Sequence, residues 1–246
     1  MFYTRIPVPK SIGDCSANLN RTTKYFPLIG VIVGGIGALI FIISNILFPV
    51  NISVLISIGA IVLITGAFHE DALADFCDGF GGGYDSSQIL KIMKDSFIGV
   101  YGTLGLFFVL LAKFIILVEV GVNYIPIILI VAHAVSRFNP IILIFTSKYV
   151  GQQLNSKSKG IGDEKYKVDF IFAFIFGILP LTFLPLVYIP FIVFFLAIML
   201  IYFRYYVRKK IGGYNGDVLG ALQQFSELGV YFIFLLTNRL YEFICC

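Results

Sequence analysis

The sequence predicts an all-α protein, a polytopic integral membrane bundle of about seven transmembrane helices whose active site faces the cytoplasm. Three observations carry this prediction. Of the 246 residues, 59% are hydrophobic and 13% are charged, against roughly 25% charged in soluble domains. Several apolar runs reach the roughly 20 residues that span a hydrocarbon layer as helix. Basic residues gather between alternate runs, as the positive-inside rule requires of one membrane face. No hydrophilic block is large enough for a separate soluble domain, so residues 1–246 read as a single membrane-embedded domain. The composition excludes a soluble enzyme, and nothing in it points to nucleic acid.

Taken in order, the N-terminal segment "MFYTRIPVPKSIGDCSANLNRTTKYFPLIG" places Arg5, Lys10, Arg21 and Lys24 before the first apolar run. That run is too long for a signal-peptide core, so the first span is expected to be retained. The seven spans are expected at 26–48, 52–68, 100–120, 124–146, 168–186, 188–207 and 218–238. The second and fifth are short. Asn139 and Pro140 should kink or break the fourth near Arg137, and Pro180, Pro185 and Pro190 should make the connection from fifth to sixth irregular. With the N-terminus in the cytoplasm, fifteen of the eighteen basic residues fall on the cytoplasmic side. The four cysteines, Cys15, Cys77, Cys245 and Cys246, show no C-x-x-C spacing, so neither a zinc site nor a disulfide framework is expected.

The stretch "FHEDALADFCDGFGGG" from Phe68 to Gly83 follows the uncharged second run and holds four acids within nine residues. If the second helix continues through residue 78, Asp71, Asp75 and Asp78 stand at i, i+4 and i+7 on one face, with Glu70 pointing elsewhere. Such carboxylates repel one another, and a helix C-terminus is the end at which the macrodipole opposes them. A hard divalent cation relieves this, and Mg2+ completed by water or substrate phosphate fits oxygen ligands best. Gly79 is expected to end the helix. The bland alternative is a solvated acidic helix end. His69 lies off the acidic face and reads equally as a structural histidine.

Other polar residues complete the set. In "ILKIMKDSFIGVYG", Ile89, Ile92 and Met93 form an apolar face for a surface helix, with Lys91 and Lys94 toward water and Asp95 close by. Ionisable groups within spans mark function by default. Arg137 is suited to a bidentate phosphate clamp, and Glu227 lies among Gln223, Gln224 and Ser226 on the helix after Asn215 and Asp217. Lys113, nearer the other face, is expected to snorkel. A carboxylate cluster, basic side chains and glycine-rich loops on one face suit metal-assisted transfer of a phosphoryl-linked group.

"FHEDALADFCDG", "ILKIMKDSFIGVYG", "AVSR" (134–137), "GIG" (160–162) and "GGYNGDVLGA" (212–221), with "TRIPVP" and "FPLIG" near the start, resemble the cobalamin synthase family, adenosylcobinamide-GDP ribazoletransferase. The matches run in family order along nearly the whole chain. The resemblance implies that α-ribazole, or α-ribazole 5′-phosphate, joins adenosylcobinamide-GDP with release of GMP at a multi-pass site in the cytoplasmic (inner) membrane. It implies Mg2+ on Asp71, Asp75 and Asp78, and a general base among these or Asp95. Lys94 and Arg137 would clamp phosphate, while Asn215, Asp217 and Glu227 would complete a polar cavity. An oligomer is compatible with this scheme. Two departures stand out: Ala72 and Phe97 occupy positions where the family usually has glycine and a basic residue. Rival readings are a CDP-alcohol-type headgroup phosphotransferase, whose arginine-containing signature does not occur between Asp71 and Asp95, and a cation transporter, which favours a midplane site and internal repeats.

Overall fold

The computed structural model describes residues 23–151 and 167–245. Arg5, Lys10, Arg21, the segment 160–162 and the lysines of 152–166 lie outside the described residues. After a 3-10 turn at Thr23–Tyr25, the helices are α1 (Phe26–Ser44), α2 (Val50–Thr65), α3 (Phe68–Gly82), α4 (Ser86–Ile92), α5 (Val100–Val120), α6 (Ile125–Ser136), α7 (Phe138–Thr146), α8 (Lys167–Ile178), α9 (Tyr188–Ile211) and α10 (Gly216–Cys245). Among the described residues the nearest approach to a sheet is an isolated bridge between Tyr149 and Tyr214. The all-α membrane bundle is as expected.

The count of seven spans is not reached. By length and composition, five described segments can cross a membrane, or six if α2 and α3 are taken as one bent span. Two local features account for the difference. The second helix does not run on to residue 78. Its end carries Gly66 and Ala67 in succession in the left-handed region, at φ 68° and 56°, and the Ala67 N–H closes a Schellman-type bond on the Val62 carbonyl at 2.9 Å. The chain leaves this cap bent by 88° into α3. Further on, α8 stops at Ile178 and tightens into a 3-10 segment, Leu179–Phe183, at Pro180. The irregular proline-rich connection expected there is present. So is the break at Asn139–Pro140: α6 ends at Ser136 and α7 begins at Phe138, with Arg137 at the joint.

The segment Ile125–Thr146, formed by α6 and α7, is 83% buried, whereas α5 and α9 are 22% and 28% buried. The α6–α7 pair is therefore the central post, and the peripheral helices turn Phe107, Phe108, Phe194 and Ile201 outward, where lipid suits them. Hydrophobic burial between helices gains little when the solvent is itself apolar, so close packing holds the bundle. Gly30 and Gly34 of α1 lie against the α6 backbone at His133–Ala134 and Leu129–Ile130, where any Cβ would overlap main-chain atoms. At the far side α10 crosses α3, and Gly220 sits on the Ala72 methyl group.

Candidate active site

The 88° bend decides the geometry of the acidic stretch. Because α3 is a separate helix beginning at Phe68, Asp71 lies in its first turn, the end where the macrodipole favours negative charge. The expectation that the acids close the second helix is corrected accordingly. Nor does Gly79 end α3, which runs to Gly82; Gly79 is instead where Met93, following α4, packs against it.

The three aspartates have different surroundings. Asp71 is exposed and Asp75 half-buried. Asp78 is buried and accepts the backbone N–H groups of Gly99 at 2.6 Å and Gly102 at 2.8 Å, one on each oxygen. Those N–H groups open α5, so Asp78 caps that helix with a full charge. A Cβ at Gly99 or Gly102 would overlap the carboxylate, which is why "IGVYG" needs both glycines. Asp78 was expected to share a metal with its neighbours; its oxygens are engaged in holding α5.

Another acid comes into the cluster from the opposite end of the chain. Gly212, at φ 83°, ends α9, and the next residues pair with 148–150 through Tyr214 N–H to the Lys148 carbonyl and Val150 N–H to the Tyr214 carbonyl, both 2.9 Å. Asn215 then caps α10 by accepting the Val218 N–H at 2.9 Å and donates its amide to Asp217 Oδ2 at 3.0 Å. Asp217 is thereby turned toward α3, within electrostatic range of Asp71 and Asp75. Asp71, Asp75 and Asp217 form no ion pair with a described Lys, Arg or His. Among the described residues no group of three or more His, Cys, Asp or Glu is placed so that it could hold a metal ion together.

A family model described as Cobalamin-5-phosphate synthase matches residues 1–235. The chain belongs to that family. It is 42% identical over 240 residues to the adenosylcobinamide-GDP ribazoletransferase of Shewanella frigidimarina, covering 95% of this chain and 91% of the relative. The proteins of the same name from Shewanella baltica (strain OS155) and Shewanella oneidensis are 40% and 41% identical, covering 97% and 96% of this chain and 92% of each relative. No solved structure matches it.

The remaining predicted residues divide between surface and core. Lys94 is exposed, as is Asp95, whose Oδ1 accepts the Phe97 N–H at 3.2 Å. They follow α4, whose N-terminus is capped by Asp85 through the Gln88 N–H at 2.9 Å and the Ser87 hydroxyl at 2.7 Å; these bonds hold the Asp85 carboxyl below the usual range, the Ser87 bond first. Ile89 and Met93 are buried while Lys91 faces water, as the periodicity implies.

Arg137 and Glu227 lie elsewhere. Arg137 is 1% exposed and donates through Nη1 to the His133 carbonyl at 2.8 Å. The break explains this: the Arg137 N–H turns to the Val135 carbonyl, so the His133 carbonyl is released and the guanidinium takes it up. The Phe26 ring covers the cation at 5.6 Å. Glu227 accepts from Lys113 Nζ at 2.7 Å, Gln223 Nε2 at 2.8 Å and the Tyr231 hydroxyl at 3.3 Å. Lys113 also reaches Gln224 Oε1 at 2.6 Å, and Gln224 Nε2 donates to Glu70 Oε1 at 3.1 Å. Lys113 was expected to snorkel, but it is buried in this pair, because the Glu227 charge makes an inward position cheaper than a bare cation would find it. Gln223 Nε2 also donates to Ser136 Oγ at 3.1 Å, so the network joins α3, α5, α6 and α10, and the first and last of these carry Asp71 and Asp217. Sequence reasoning gave Asp217 no part in the acidic cluster and left Lys113 unpaired. The signal available for each was an acid just inside a capped helix start and a pair of opposite charges in two apolar spans.

Proposed function

We propose that the chain is an adenosylcobinamide-GDP ribazoletransferase of the cytoplasmic membrane, working at a cytoplasm-facing site. The reading rests on the family assignment, and the observation that carries it to particular residues is the crossing of α10 over α3 at Gly220 and Ala72, which brings Asp217 into the field of Asp71 and Asp75. Oxygen donors without a protein cation fit a hard divalent ion such as Mg2+. Asp71, Asp75 and Asp217 would hold it once drawn closer together than they stand here, and Asp78 would be kept as the α5 cap. When bound, the ion supplies charge neutralisation for a pyrophosphate and its leaving group.

The protein's own part is to orient and to manage charge. A ribose hydroxyl oxygen that is free in both α-ribazole and α-ribazole 5′-phosphate, and therefore not the 5′ oxygen, forms a new bond to the cobinamide-linked phosphorus. The bond from that phosphorus to the bridging oxygen breaks, and GMP departs with the bridging oxygen. The hydroxyl proton passes to a carboxylate of the cluster, which relieves repulsion among the acids. Asn215 fixes Asp217 through its amide, and the buried Glu227 network holds α10 against α3 so that the acids keep their spacing. Arg137 acts in this scheme by stabilising the broken α6–α7 post, not by touching phosphate.

The test is conversion of adenosylcobinamide-GDP with α-ribazole or its 5′-phosphate by the purified protein in liposomes, with and without Mg2+. Product and GMP are expected with the metal, and both are expected to be lost in Asp71→Asn and Asp217→Asn but retained in Asp95→Asn. Metal-independent turnover, or full activity of Asp217→Asn, would overturn the assignment of ligands. A folded wild-type protein that forms no product from either nucleophile would overturn the reaction itself.

A further inference from the structure

The acidic cluster creates a difficulty for its substrate. A pyrophosphate must come near three carboxylates, so cations other than the metal have to draw the anionic part of the molecule in. Several described basic side chains are committed elsewhere: Lys113 to Glu227, Lys24 to Asp169 and Arg239 to Glu119. Arg137 is sealed in the core and Arg204 donates to the Thr146 carbonyl. Lys91 and Lys94 make no ion pair with a described residue, and both line one cavity of about 550 Å3 together with Ser86, Ser87, Val150 and Asn215.

This cavity is within the roughly 300–1,000 Å3 range of small-molecule sites. Its position is informative. Asn215 lines it and at the same time donates to Asp217 Oδ2 at 3.0 Å, so the cavity borders the acidic cluster through one side chain. One wall is α4, with the lysines one turn apart; the other is the segment at Val150, pinned by its N–H to the Tyr214 carbonyl at 2.9 Å. Amine cations and hydroxyls at its lining suit phosphate oxygens, and Leu90 with Val150 offers apolar surface to a base.

We propose that this cavity holds the nucleotide half of the substrate, the guanosine phosphate that leaves as GMP, with Lys91 and Lys94 on its phosphate. The inference rests on the transferase reading above and adds the location of the leaving group. The corrinoid half then lies on the other side of Asp217, toward the exposed face of α3.

The test uses the full-length protein in detergent and GMP as the probe. Wild type is expected to bind GMP, and Lys91→Ala/Lys94→Ala to bind it about 10- to 100-fold more weakly, the loss of charge-assisted hydrogen bonds to phosphate. Lys91→Arg/Lys94→Arg is expected to stay near wild type. Without any mutation, saturating GMP should protect Lys91 and Lys94 from amine acylation while leaving Lys209 and Lys210 reactive. Equal GMP binding by wild type and the double alanine variant, or no protection, would overturn the proposal. Inorganic phosphate competing as well as GMP would overturn its nucleoside part. If GMP binding and protection behave as expected but no cobalamin product forms, the reaction fails and the cavity stands. If product forms and the alanine variant binds GMP normally, the cavity fails and the reaction stands.

Discussion

Replacing Asp78 separates a metal ligand from a helix cap. In Asp78→Ala two N–H groups, that of the exposed Gly99 and that of the buried Gly102, lose acceptors at 2.6 Å and 2.8 Å. Hydrogen bonds to a charged acceptor contribute about 1.5–3 kcal/mol each, and loss of a cap alone costs about 0.5–2 kcal/mol. These overlap, so a total of about 3 kcal/mol is expected. Asp78→Asn keeps one acceptor but sets an amide donor against the second N–H, and about 2 kcal/mol is expected. For a chain of this size each kcal/mol moves a melting temperature by about 2–4 °C, so Asp78→Ala should melt roughly 6–12 °C lower and Asp78→Asn roughly 4–8 °C lower. The assay is thermal unfolding in detergent, followed beside Mg2+-dependent activity and beside Asp71→Asn, which is exposed and should melt near wild type. Asp78→Asn melting with wild type yet losing its response to Mg2+ would refute the capping account and restore Asp78 to the metal.

The buried charges behave as a unit: Lys113→Met should destabilise by about 3–5 kcal/mol because Glu227 is left uncompensated, and adding Glu227→Gln should recover much of that in a double-mutant cycle on unfolding. Gly220→Ala should lower both stability and activity, since its methyl would meet Ala72, and Ala72→Gly should restore both in the double variant; failure of that rescue would show that α10 does not cross α3 there. Asp85 has its carboxyl held below the usual range by the Ser87 hydroxyl and the Gln88 N–H. Its support of α4 is therefore full above the unfolded carboxylate value of about 3.9 and is lost as pH falls through the lower folded value. Hydrogen exchange should find the α4 amides protected at pH 5 and loosened at the acid end in wild type, with Asp85→Asn insensitive over the same window.

Much of this was legible along the chain. Hydropathy and charge pattern carry the all-α membrane class, because a backbone in lipid has few ways to satisfy its polar groups. Asn139–Pro140 announces the break at Arg137, and the apolar face of Ile89 and Met93 announces α4. The acidic stripe was also visible, but its role was not. Periodicity assigns Asp71, Asp75 and Asp78 to one face and says nothing of what that face meets.

What the sequence by itself determined is the solvent, the family and the inventory of chemical groups. These depend on composition and on spacings within single segments, which local geometry translates directly. What the tertiary structure alone decided is how those groups are divided. Two left-handed residues at Gly66 and Ala67 turn α3 by 88°, and this swings Asp78 onto the start of α5, Glu70 into the core and Asp71 outward. The pairing of Asp217 with the α3 acids spans more than 140 positions of sequence, and that of Lys113 with Glu227 spans 114. Contacts so distant are set by which helix backbones can approach, at Gly30, Gly34 and Gly220, and a linear pattern carries no record of that approach.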